Sequence, residues 1–228
     1  MPKVLLIDDD VELLDMLKDY LQQEGFDVTA VHDGNAGMSH ALSGQYMIAV
    51  LDVMMPGLDG VETLKKIRAQ SSMPVLMLTG KGDNMDRIVG LELGADDYVT
   101  KPCTSRKLTA RIRGILRRTQ MSSDDSVAVP LLAGSLTMWP SQRRAMWHDE
   151  PLELTSTEFD LLKVLAQNAG RPVSKSELSE QALGRPLVAF DRSIDVHLSS
   201  IRHKLGKHGN VPPCILTVYR QGYQFIKE

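Results

Sequence analysis

Cysteine is scarce in this chain of 228 residues. There are two, Cys103 and Cys214, far apart and without CxxC spacing. That excludes a disulfide framework, argues against a zinc site, and leaves each as a small core residue. Long apolar runs are missing as well, so no segment has the length of a membrane-spanning helix. The first residues lack the basic stretch, apolar stretch and cleavage site of a secretory leader. A cytoplasmic protein with no membrane partner is expected. Internal repeats and low-complexity tracts are also absent.

The composition that remains, 43% apolar and 24% charged, is that of a soluble globular protein with room for one large domain or two ordinary ones. The net charge of −3 conceals an uneven distribution. The first 120 residues are mildly acidic, whereas Arg185 to Lys227 carries seven basic and two acidic residues plus His197, His203 and His208. A basic C-terminal stretch in an acidic protein points to a nucleic-acid face on one domain only.

Apolar runs at Val4–Ile7, Val28–Val31, Ile48–Leu51, Val75–Leu78 and Tyr98–Val99 alternate with helical patterns such as VELLDMLKDYLQQEG, which Gly25 stops. Five βα alternations predict an α/β domain with a parallel sheet covered on both faces. The polar TQMSSDDSVAVP (Thr119–Pro130) reads as a linker. Beyond it come short strand-like runs, where Trp139 and Trp147 are expected to pack. LTSTEFDLLKVLAQNAG follows, capped at Thr155 or Ser156 with Glu158 answering and Gly170 ending the helix. Helical patterns near Ser174–Ala182 and Asp191–Leu205 and a hairpin signal in CILTVYRQGYQFI complete a winged helix-turn-helix.

Three aspartates, Asp8, Asp9 and Asp10, end the first strand with no lysine or arginine beside them. Such a cluster is costly unless a positive charge offsets it. Asp10 is expected to cap the following helix. Asp8, Asp9 and Asp52 (after the third strand) fall at carboxyl ends of strands, where ligands of open α/β sheets bind. Thr79 ends the fourth strand and Lys101 the fifth. Hard oxygen ligands at strand ends suit magnesium, Mg2+.

In the helical pattern Asp191–Leu205, Ile194, Leu198, Ile201 and Leu205 form the buried stripe. Ser193, Val196, His197, Ser200 and Lys204 repeat the same spacing on another face, flanked by Arg192 and Arg202. Small, polar and cationic groups in this arrangement suit a major groove, with His197 expected at a phosphate. The hairpin adds Thr217, Arg220 and Tyr223.

Residues 1–119 resemble the receiver domain of two-component response regulators through Asp8-Asp9, Asp52, Thr79 and Lys101-Pro102. Residues 120–130 form the linker. Residues 131–228 resemble the winged-helix DNA-binding domain of the OmpR/PhoB subfamily, through LTSTEFDLL, RSIDVHLSSIRHKL and GYQF. The resemblance implies a flavodoxin-like receiver whose Asp52 takes a phosphoryl group from a sensor histidine kinase, with no enzymatic activity beyond its own phosphoryl transfer and dephosphorylation. It implies that Asp8, Asp9, Asp52 and the Met54 carbonyl hold Mg2+, that Lys101 offsets phosphoryl charge, and that Thr79 and Tyr98 act as a switch. Homodimerisation on phosphorylation, binding to direct-repeat sites in double-stranded DNA and contact with RNA polymerase are further implications. Two other readings remain: a receiver that only dimerises, without phosphorylation, and an aspartyl-phosphate phosphotransferase. The second needs a general acid two residues after the nucleophile, where this chain has Met54.

Three departures from the subfamily stand out. Cys103 replaces the usual aromatic residue after Lys101-Pro102. Lys107 replaces the glutamate that pairs across the dimer with a basic residue of the fourth helix, here Arg87; the other dimer pairs, Asp97 with Arg111 and Asp96 with Arg118, are kept. In the wing, TVYRQGY puts Tyr219 and Arg220 where arginine and glycine are usual.

Overall fold

Strands β1 (Lys3–Ile7), β2 (Asp27–Val31), β3 (Ile48–Asp52), β4 (Val75–Thr79) and β5 (Asp97–Thr100) form one parallel sheet in the order β2-β1-β3-β4-β5. The computed structural model describes residues 1–80, 84–120, 129–189, 191–206 and 214–226, with all their side chains except those of 84–87 and 120. Its residues divide into two units, Met1–Leu116 and Arg117–Glu228.

In the first unit Leu5, Ile7, Ala49 and Leu51 point to one face of the sheet and Val4, Leu6, Ile48 and Val50 to the other. Both faces are therefore dry, which explains why β1, β3 and β4 read as unbroken apolar runs rather than alternating ones. Helices α1 (Val11–Gln23) and α5 (Ser105–Gln120) bring Leu14, Leu17, Leu21, Leu108 and Ile112 to one layer. On the other face, α2 (Gly34–Ala41) and α3 (Gly60–Arg68) contribute Ala41, Leu64 and Ile67. Helix α4 (Asn84–Glu92) precedes β5. Asp10 caps α1 by accepting the Leu13 N–H at 3.0 Å, as the sequence predicts, and Gly25 closes that helix at φ 89°.

The second unit begins with an antiparallel sheet of β6 (Leu131–Ala133), β7 (Leu136–Trp139), β8 (Arg144–Trp147) and β9 (Glu150–Pro151). Trp147 is buried in its core, and Arg144 lies over the Trp139 ring at 4.2 Å, so both tryptophans serve packing. Then come α6 (Ser156–Gln167), α7 (Lys175–Ala182), α8 (Ser193–Gly206) and the hairpin β10 (Ile215–Val218)–β11 (Gly222–Phe225). Thr155 and Glu158 form the expected capping box of α6; Ser174 and Glu177 repeat it on α7. An antiparallel bridge between Val173 and Tyr223 seats the hairpin against the α6–α7 connection. Gly222 is required there: its φ is 128°, and a Cβ would meet the Val173 carbonyl oxygen at 2.0 Å. Most of the segment read as a linker lies outside the described residues.

Candidate functional site

The strand order reverses between β1 and β3, the switch point where a crevice opens beyond the carboxyl ends of a sheet of this order. The pairing of Ile7 with Leu51 brings Asp8 and Asp52 side by side there. Lys101 follows β5, its N–H donating to the Thr79 carbonyl at 2.7 Å. Its ammonium reaches Asp8 Oδ2 at 2.7 Å and Asp52 Oδ1 at 2.8 Å. The Met54 N–H donates to Asp52 Oδ2 at 3.1 Å, and the Asp10 N–H to Asp8 Oδ1 at 3.1 Å. Gly60 lets α3 start against this loop, because a Cβ would lie 2.0 Å from the Asp52 carbonyl oxygen.

Asp8 and Asp52 are buried and Asp9 is exposed, yet carboxylate oxygens of all three lie within 4.8 Å of one another. Among the described residues, Lys101 pairs with two of these three acids, so negative charge is left over. Burial pushes the Asp52 carboxyl above its usual range and Asp8 adds to this, while Lys101 opposes both. The Lys101 ammonium is itself held above its usual value: burial acts against the charge, but Asp52 and Asp8 overcome it. An under-compensated set of hard oxygens fits a small divalent cation such as Mg2+. Thr79 lies at the end of β4 with its hydroxyl buried and without a hydrogen-bond partner among the described residues. Tyr98 is half-buried in β5. Cys103 packs partly buried on the α1–α5 side of the core, where burial pushes its thiol up.

The residues read as dimer contacts are placed unequally. Lys107 is exposed on α5, and Arg111 pairs with Asp97 of the same chain at 3.2 Å. Asp96 is sealed inside, accepting from Arg68 at 3.2 Å and the Val75 N–H at 2.9 Å. Its carboxylate therefore faces inward. Arg118 belongs to the second unit, where it donates to the Ala182 carbonyl and stands 3.9 Å from Asp160. The Arg87 side chain lies outside the described residues.

On α8 the outward stripe is rotated from the one the sequence suggested. Ser193, Val196 and His197 are buried, and the Ser193 hydroxyl accepts from Arg185 at 2.9 Å and donates to Asp191. Ser200 and Lys204 turn to Glu158 of α6, each at 2.6 Å. Tyr223 is buried in the wing, its hydroxyl donating to Asp195, and burial, with that contact, pushes its ionisation up. Arg192, Ser199 and His203 are exposed, and Arg202 and Asp195 half-exposed. Arg202 ties α8 to the wing by donating to the Ile215 carbonyl and the Thr217 hydroxyl, both at 2.9 Å. The positions 192, 195, 199, 202–203 and 206 themselves follow a helical period, which is the signal that could have revealed Ser199 and His203. In the wing, Thr217, Tyr219 and Arg220 face outward, the Arg220 guanidinium 5.0 Å from the Tyr219 ring centroid.

A five-stranded parallel receiver with an acidic pocket, followed by a unit of three helices and a hairpin, defines a response regulator. Residues 4–113 match the family described as "Response regulator receiver domain", and residues 149–225 match "Transcriptional regulatory protein, C terminal". The chain belongs to the two-component response regulators with an OmpR/PhoB-type DNA-binding domain and acts as a transcription regulator. It is 44% identical to the transcriptional regulatory protein CpxR of Escherichia coli (strain K12), over 99% of each chain. It is equally identical, over 99% of this chain and all of the relative, to the CpxR homolog of Haemophilus influenzae. The solved structure of DrrB, an OmpR/PhoB homolog from Thermotoga maritima, is 30% identical over 99% of both chains, with a TM-score of 0.52.

Proposed function

We propose that Asp52 is the phosphoacceptor. A carboxylate oxygen of Asp52 forms the new O–P bond as the N–P bond of a kinase phosphohistidine breaks. The observation that carries this reading is the Lys101 ammonium held between Asp8 and Asp52 at the strand ends. Lys101 stands ready to offset charge on the phosphoryl oxygens. Asp8, Asp9, Asp52 and the Met54 carbonyl would hold Mg2+, which supplies further positive charge to the phosphoryl group. The Thr79 hydroxyl would then donate to the phosphoryl oxygen, with Tyr98 following inward. The chain assists only its own phosphorylation and dephosphorylation.

Phosphorylation promotes a homodimer through the surface carrying Lys107, Asp97 and Arg111. The dimer binds direct-repeat sites in double-stranded DNA from the cytoplasm and engages RNA polymerase. Arg192, Ser199, Arg202 and His203 of α8 would face the major groove, with Thr217, Tyr219 and Arg220 of the wing beside it. Incubation with acetyl phosphate and Mg2+ followed by intact-protein mass spectrometry tests the pocket. The parent chain is expected to gain one acid-labile phosphoryl group, and Asp52→Asn or chelation of the metal to abolish the gain. Normal uptake by folded Asp52→Asn would overturn the assignment.

A further inference from the structure

Lys204 is a cation on the helix assigned to DNA, yet its ammonium is turned to protein. It donates to Glu158 Oε2 at 2.6 Å, while Ser200 donates to Oε1 at 2.6 Å. Oε2 also receives the Thr155 N–H at 2.7 Å, closing the α6 capping box. The Glu158 side chain is fully buried. Burial alone would raise its carboxyl, but Lys204, Ser200 and the Thr155 amide bring it below the usual range. A buried ion pair adds little net stability, because desolvation offsets its attraction; its better-attested effect is to fix register.

We infer that Glu158 is a positioning residue for DNA recognition. Ser200 and Lys204 are four residues apart and share one face of α8. Two anchors on one carboxylate set both the rotation of α8 about its axis and its position along α6. That rotation turns Arg192, Ser199 and His203 outward. It also neutralises Lys204 within the domain, so its charge takes no part in displacing counterions from DNA. The inference rests on the α8 face proposed above.

The test uses the full chain and a duplex that the parent protein enriches from a random-sequence pool, titrated at several salt concentrations beside a scrambled duplex. Arg192→Ala should weaken binding; if it changes nothing, the α8 face is misassigned and the inference fails with it. Lys204→Met should lose preference for the enriched duplex several-fold with an unchanged salt slope. A lysine on a phosphate would instead lower the slope by about 0.9, and that result would overturn the inference even with Arg192 confirmed. In a Glu158→Gln background, Lys204→Met should add no further loss. Should Glu158→Gln fail to fold by circular dichroism, Ser200→Ala decides the positioning role, because it removes one anchor and keeps the ion pair. Folded Ser200→Ala that discriminates as well as the parent would overturn it.

Discussion

Arg220 stands in the wing turn with φ 59°, a left-handed conformation that L-residues adopt at a cost of about 1–2 kcal/mol. The subfamily pattern places glycine there, which adopts it freely. The structure thus explains why this departure is strained and shows what accompanies it: a guanidinium stacked on the exposed Tyr219 ring at the tip of the hairpin. Arg220→Gly should relieve the strain, less roughly 0.5–1 kcal/mol for the greater backbone entropy of glycine. The second unit should become slightly more stable by chemical denaturation. DNA binding should weaken in the same variant, with the salt slope falling by about 0.9 if Arg220 meets a phosphate. A variant both less stable and equally tight in binding would contradict this account.

At the scale of elements, the junction of α6 and α8 carries a pH signature. Burial works to raise the Glu158 carboxyl, yet Lys204, Ser200 and the Thr155 amide leave it below its usual value of 4.5. A group with a depressed folded pKa contributes stability that is present above its unfolded value and lost as pH falls through the folded one. The parent chain should therefore lose second-unit stability below about pH 4.5 more steeply than Glu158→Gln. Both tryptophans lie in that unit, so intrinsic fluorescence reads it selectively. The caps at Asp10 and Thr155 were legible because they depend on side chains one turn away. The rotation of α8 was not. Periodicity identified Ile194, Leu198, Ile201 and Leu205 correctly, but a serine or histidine beside such a stripe carries no mark of its own burial. Only tertiary packing decides that.

For the whole molecule, the five-stranded receiver and the winged unit were readable because apolar runs and strand-end residues recur in register along the chain. The pocket was readable for the same reason: parallel strands deliver their last residues to one edge. The partner of Asp96 was hidden, since Arg68 lies 28 residues away and meets it only through the tertiary fold. The dimer face belongs to this scale too. Lys107 is exposed on α5, where glutamate is usual. Lys107→Glu should strengthen phosphorylation-induced dimerisation by no more than about 1 kcal/mol, and more at low salt than at high. Sedimentation of both proteins at two ionic strengths would measure it; a looser dimer would mean that the α5 faces meet differently.

The buried hydroxyl of Thr79 bears on how the receiver divides its time between conformations. A buried donor that finds a charged acceptor in one arrangement and not in another favours the first, because a hydrogen bond to a charged group is worth roughly 1.5–3 kcal/mol. That is a factor of about 10–150 in relative population. On the reading proposed above, a phosphoryl group on Asp52 supplies the acceptor, so the weight moves only once that group has arrived. Thr79→Val keeps the shape and removes the donor. It should blunt the gain in dimer on phosphorylation, read by sedimentation. An undiminished gain would mean that the hydroxyl takes no part in the switch.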